Sequence, residues 1–288
     1  MDKTTYKFII RAQKSEITEH HIYNRLAKRV KDKNNKAILE QIAKDEKRHY
    51  EFWKNYTDKE VKPSKIKIWF YVFISRLLGI TFGIKLMENG EDNAQESYEK
   101  LALKYPDVRN IINDEHAHEE KLIELIDEER LKYSSSIVLG LNDALVELTG
   151  ALAGLTFALR KTSLIALAGL VTGISASFSM AASEYLSEKE EGGDKKPLKA
   201  AFFTGIAYIF AVAFLIFPYL VFTDPYFCLG FTVLNAVVII LIFTFYTSVA
   251  KSLKFGNRFG AMVAISLGVA AFSFGIGYLI RIWLGVEV

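Results

Sequence analysis

Five apolar runs, each long enough to cross a bilayer, follow one another through the second half of the chain and leave few folds open to it. A spanning helix needs about 20 predominantly apolar residues, and 137–159, 164–186, 200–222, 226–249 and 260–284 all meet that length. The breaks are Arg160 with Lys161, the charged stretch 187–199, Thr223-Asp224-Pro225, and 251–258. Glycines at 150, 154, 169, 173, 268, 275 and 277 supply the small surfaces that let helices approach closely in lipid. The first half is different in kind. Residues 1–136 hold 26 of the 36 basic residues, 24 of the 33 acidic ones and all five histidines. A single uniform globular domain is therefore excluded, and so is disorder in a chain 51% hydrophobic. The lone Cys228 excludes a disulfide framework and any all-cysteine metal site. Interleaved charges with a net of +3 give little reason to propose nucleic-acid binding.

The basic residues of the short loops set an orientation. Lys189, Lys195, Lys196, Lys199, Lys251, Lys254 and Arg258 lie on one side, against Arg160, Lys161 and Arg281 on the other. With no signal-peptide core in MDKTTYKFII, this puts the N-terminus in the cytoplasm.

Charges inside the spans carry the chemistry. Asp143 and Glu147 sit at i,i+4 on one face of the first span. Glu184 lies near the cytoplasmic end of the second, with Met180 one turn deeper. A carboxylate costs about 2.5–3.5 kcal/mol at the centre of an inserted helix, so it faces a bundle interior or a polar pathway. Carboxylate oxygen with thioether sulfur suits a borderline ion such as Fe²⁺. The competing readings are simple packing for Met180 and an interfacial position for Glu184.

The segments IVLGLNDALVELTGALAG (137–154) and ISASFSMAASEYL (174–186) resemble the vacuolar iron transporter family, and the likeness extends over about 133–288. By that resemblance, Asp143 and Met180 bind the ion, Glu184 assists at the cytoplasmic mouth, and Glu147 is a weaker correspondence. It also implies homodimers with the pathway near the dimer axis, exchanging Fe²⁺ or Mn²⁺ for protons. The long metal-binding insert of plant-type members is missing, since only 187–199 separate the second and third spans. The acidic run there (Glu188, Glu190, Glu191, Asp194) reads as a solvated loop.

Residues 1–132 read as four helices, about 3–31, 34–57, 68–104 and 107–131, with Gly only at 79, 83 and 90. Glu16 lies on the first, Glu46-x-x-His49 on the second, Glu88-x-x-Glu91 on the third and Glu115-x-x-His118 on the fourth. Residues three apart share a helix face. Glu-x-x-His from two helices and a Glu from each of the other two is the di-iron set of ferritin-like bundles. His20, His21 and His116 fall off this pattern and read as surface residues.

The pattern resembles the rubrerythrin branch of the ferritin-like superfamily over about residues 5–130, with Glu16 and Tyr23 matching its first-helix Glu and Tyr. The resemblance implies two iron ions held by Glu16, Glu46, His49, Glu88, Glu115 and His118, with Glu88 bridging and Glu91 joining in one redox state. A rubredoxin module, which needs four cysteines, is missing, so peroxidase turnover through it is not expected.

The segment 66–87, IKIWFYVFISRLLGITFGIKLM, is unusually apolar for a soluble domain, yet Arg76 sits at its centre. It reads as a helix at a dimer contact or membrane surface. His118 and Asp143 are 25 residues apart, about 37 Å along a continuous helix, so direct transfer along one helix is excluded. The expected fold is all-α: a ferritin-like four-helix bundle (1–132, cytoplasmic) followed by a five-helix transmembrane bundle (133–288). The whole resembles the membrane-bound ferritins. That implies an Fe²⁺ or Mn²⁺ transporter in a prokaryotic plasma membrane, exporting in exchange for protons. Lipid, metal ions and a second copy are its partners, and it reads as a transporter rather than an enzyme, with ferroxidation at the di-iron site left open. The alternative is a membrane-anchored di-iron ferroxidase or peroxidase, or an iron sensor.

Overall fold

The computed structural model describes residues 2–89, 98–99, 101–124, 132–193, 195–251 and 253–284. Among them the chain is all α, with ten helices and no strand. It divides into two compact units, Met1–Glu128 and Glu129–Val288.

The first unit contains α1 (Lys3–Ala27), α2 (Lys33–Thr57), α3 (Lys65–Leu78), α4 (Ile80–Glu88) and α5 (Val108–Glu124). Asp2, Asp32 and Ser64 start α1, α2 and α3, each accepting a hydrogen bond from a backbone N–H two or three residues on. Asp58, at φ 51°, ends α2. Two apolar clusters build the core. One joins Ile22, Leu26, Leu39, Ile42, Ile68, Val72, Ile84, Met87 and Leu122. The other joins Ile9, Trp53, Tyr98, Leu101, Val108 and Ile111. On α1, α2 and α5 alike, the Glu and His positions fall in sequence between residues of these clusters, so the polar groups form a layer between two apolar ones.

The expected single helix 68–104 is not found. Gly79, at φ 108° and ψ 150°, breaks it into α3 and α4. That backbone conformation is open to glycine and strained for any side chain. The two helices then approach so closely that a Cβ on Gly83 would stand 1.9 Å from Ser75 Oγ.

The second unit contains α6 (Ser134–Leu159), α7 (Thr162–Glu191), α8 (Pro197–Val221), α9 (Pro225–Ala250) and α10 (Phe255–Leu284). All five are long and apolar enough to span a membrane. Leu145, Leu148 and Leu152 of α6 lie at its centre with Ile165, Tyr208, Leu215 and Ile216. Backbones meet closely at two points: a Cβ on Gly140 would lie 2.4 Å from Thr204 O, and one on Gly277 2.4 Å from Gly154 O. Buried hydroxyls donate to carbonyls of neighbouring helices, Thr204 to Ser136 (3.0 Å), Ser266 to Leu145 (2.9 Å) and Thr232 to Leu215 (2.8 Å). In lipid the alternative for each hydroxyl is no partner at all. The charged stretch read as a loop from 187 is helical as far as Glu191, and Gly192 at φ 63° ends it. Glu188 is buried rather than solvated because Lys195 folds back to pair with it and with Ser135. Asp194 lies outside the described residues.

Candidate metal centre

Glu16, Glu46, His49 and Glu115 bring one ligand atom each to within 4.8 Å of one another. His49 Nδ1 stands 3.5 Å from Glu16 Oε2, 3.7 Å from Glu46 Oε2 and 3.2 Å from Glu115 Oε1. His118 Nδ1 stands 3.4 Å from Glu46 Oε1 and 3.7 Å from Glu115 Oε2. Glu46 and Glu115 thus each turn one oxygen to His49 and the other to His118. Glu88 ends α4, half-buried, and does not join the four-residue cluster. Glu91 lies outside the described residues.

A test of fit is whether these groups satisfy each other. They do not. Glu16 Oε2, Glu46 Oε2, His49 Nδ1 and His118 Nδ1 are buried without a hydrogen bond, although an unmet buried polar atom costs about 1–3 kcal/mol. Donors about 2.0–2.2 Å from a shared ion stand roughly 3–3.5 Å from each other, close to the spacing here. Carboxylate oxygen and imidazole nitrogen suit iron. The donor set and its geometry are compatible with bound iron.

The surrounding contacts aim these ligands. His49 Nε2 faces Asp114 Oδ2 at 3.1 Å, and His118 Nε2 faces Asp45 Oδ2 at 3.2 Å. Each carboxylate fixes the tautomer that leaves Nδ1 free for the centre. Arg48 clamps both, 2.8 Å from Asp45 and 2.7 Å from Asp114. Trp53 Nε1 and Tyr98 OH donate to Glu16 Oε1 at 3.1 and 3.0 Å, leaving Oε2 for the centre. The sequence reading passed over Asp45, Asp114, Trp53 and Tyr98. Its available signal was the Asp before each Glu-x-x-His, giving Asp-Glu-x-x-His twice. Tyr23 is buried in the apolar cluster with Ile22 and Leu26. His20 is not a plain surface residue, since its Nδ1 lies 2.5 Å from Ala43 O of α2.

Burial and the facing charges shift the pKa values of these groups in the metal-free cluster. Burial opposes a charge on His118, but the facing carboxylates of Glu115 and Glu46 outweigh it and lift its pKa to about 10. His49 is raised in the same way, against burial, by Glu115, Glu16 and Glu46. Burial also resists ionisation of Glu115, yet the two histidines pull it down to about 2. Glu46 is raised by burial and then by Glu115.

In the membrane-spanning unit, Asp143 is half-buried and Glu147 is exposed, accepting a hydrogen bond from Tyr208 at 3.1 Å. Met180 is half-buried against the core, and Glu184 is buried. Among the described residues Asp143, Glu147 and Glu184 do not converge into a cluster like that of the first unit.

Five spanning helices and a buried carboxylate–histidine centre define an integral membrane protein with a metal-binding helical domain. Comparison with family models gives the same division: residues 7–126 match the rubrerythrin family, and residues 134–192, covering α6 and α7, match the VIT family. No curated protein matches the chain. The chain thus carries a segment similar to the rubrerythrin family, followed by one similar to the VIT family.

Proposed function

We propose that the protein exports Fe²⁺, with Mn²⁺ as a second cargo, from the cytoplasm in exchange for protons. The observation that carries this is the pair Asp143 and Glu147 within the apolar span α6, where Glu147 is exposed on the outside of the single-chain bundle. A lipid-facing carboxylate is costly. A second copy covering that surface removes the cost and closes a carboxylate-lined path between two subunits. Asp143 and Met180 hold the cargo there, Glu184 receives it at the cytoplasmic side, and protonation of Asp143 from the far side releases it. The N-terminus is on the cytoplasmic side, where the positive loops lie, in a prokaryotic plasma membrane.

The first domain, residues 1–132, captures or senses iron for that path. Glu16, Glu46, His49, Glu115 and His118, together with Glu88 and Glu91, would hold two irons, which when bound supply redox chemistry. Asp45, Asp114, Trp53 and Tyr98 orient the ligands.

The test is Fe²⁺ flux into proteoliposomes holding a metal-quenched dye under an imposed pH gradient, for the wild type and Asp143→Ala. Proton-driven quenching lost in the variant is the expected result. No quenching by correctly inserted wild type sinks the proposal and leaves a membrane-anchored ferroxidase or peroxidase, which the buried carboxylate–histidine cluster favours. Removing Glu46 and Glu115 would abolish that enzyme but only detune a transporter.

A further inference from the structure

One side of α3 carries large apolar residues that are exposed. Ile68, Val72 and Ser75 bury one side of this helix. Ile66, Trp69, Phe70, Phe73 and Leu77 are exposed on the other, by 82, 63, 43, 47 and 57%. At 100° per residue these five form one stripe along the helix. Trp69 and Phe73 stack flat, ring centroids 5.3 Å apart. Lys65 and Arg76 lie about 100° to one side of the stripe and Lys67 about 100° to the other, all three exposed. From residue 61 to 87 the chain has five cations (Lys62, Lys65, Lys67, Arg76, Lys85) and no acidic residue.

We propose that this face of α3 docks on an anionic lipid surface, lying in the headgroup plane with its aromatic stripe immersed and its cations at the phosphates. An amphipathic helix with aromatics on one face and flanking lysines has the chemistry for such a surface. A second copy is the poorer occupant. A two-fold contact through this stripe sets Lys65, Lys67 and Arg76 against their own equivalents, and the segment offers no acid to answer them.

The test places one nitroxide at residue 73 (Phe73→Cys in a Cys228→Ala background) of the full-length protein, in nanodiscs of phosphatidylcholine with or without phosphatidylglycerol. A control label replaces Glu51, exposed on α2. Power saturation compares access by oxygen, which concentrates in lipid, with access by a water-soluble nickel chelate. In anionic discs the residue-73 label is expected to favour oxygen while the residue-51 label favours nickel. Each lysine near such a surface strengthens partitioning roughly fivefold, so Lys65→Glu with Lys67→Glu returns the label to water. Nickel access at residue 73 in anionic discs equal to that in detergent overturns the proposal. So does strong dipolar coupling between residue-73 labels of two copies, which assigns the face to a dimer. Neither result depends on metal flux.

Discussion

His49 on α2 is aimed by Asp114 on α5, whose Oδ2 lies 3.1 Å from Nε2, and the two helices exchange the favour, since Asp45 beside His49 lies 3.2 Å from His118 Nε2. Each ligand histidine is thus oriented from the opposite helix, and neither is correctly set until both helices have packed. Loss of such an orienting carboxylate typically weakens metal binding 10–100-fold. Asp114→Ala and Asp45→Ala are expected to weaken Fe²⁺ binding by about that factor, measured by competition with a chromophoric chelator. Arg48→Ala, removing a guanidinium whose side chain is 59% exposed, is expected to do less.

The metal-free first domain is expected to lose stability on both sides of mildly acidic pH. A histidine whose pKa rises on folding adds stability that is complete below its unfolded value, near 6.5, and vanishes as pH climbs through the folded value. For His118 that is about 10, and His49 acts in the same direction. Glu115, depressed to about 2, adds stability present above about 4.5 and lost as pH falls toward 2. The Tm of metal-free protein by circular dichroism should fall from pH 6.5 toward 10, and again below 4.5. Since metal must displace the imidazole protons, iron affinity should rise across the alkaline window. Titration calorimetry in buffers of different ionisation enthalpy would show the released protons.

Close packing in the membrane domain should separate glycines that look alike in sequence. Gly277→Ala and Gly140→Ala each drive a methyl into a backbone carbonyl of another helix, and overpacking costs about 1–3 kcal/mol. Gly268 and Gly275 have nothing within 4 Å of the added Cβ. Their alanine variants are expected to keep the wild-type Tm in detergent, while the first two melt several degrees lower.

Tyr208 should matter to flux rather than folding. Its hydroxyl donates to Glu147 at 3.1 Å and so orients that carboxylate. Tyr208→Phe keeps the ring in the core and is expected to slow initial Fe²⁺ flux roughly tenfold with little change in Tm. An unchanged flux would remove Glu147 from the pathway.

The two halves of the molecule were legible for different reasons. Spanning helices announce themselves because lipid tolerates little but long apolar segments, and all five expected spans appear, with ends differing by up to about five residues. Glu16, Glu46, His49, Glu115 and His118 could be found because i,i+3 spacing fixes which side chains share a face. Gly79 escaped because a glycine inside an apolar run reads equally as a tolerated helical residue, and only the packing of α3 against α1 and α4 selects its φ of 108°.

The sequence by itself determined the all-α character, the two-part organisation and most of the carboxylates and histidines that the structure gathers into the candidate centre, because these follow from local periodicity and composition. Tertiary structure alone decided that Glu46 and Glu115 each face both histidines, and that Asp45 and Asp114 cross between helices to orient them. It alone set Tyr208 on Glu147 and left Trp69, Phe70 and Phe73 of α3 exposed. Such pairings join residues 60 or more positions apart, and helical periodicity carries no information about which faces of distant helices meet.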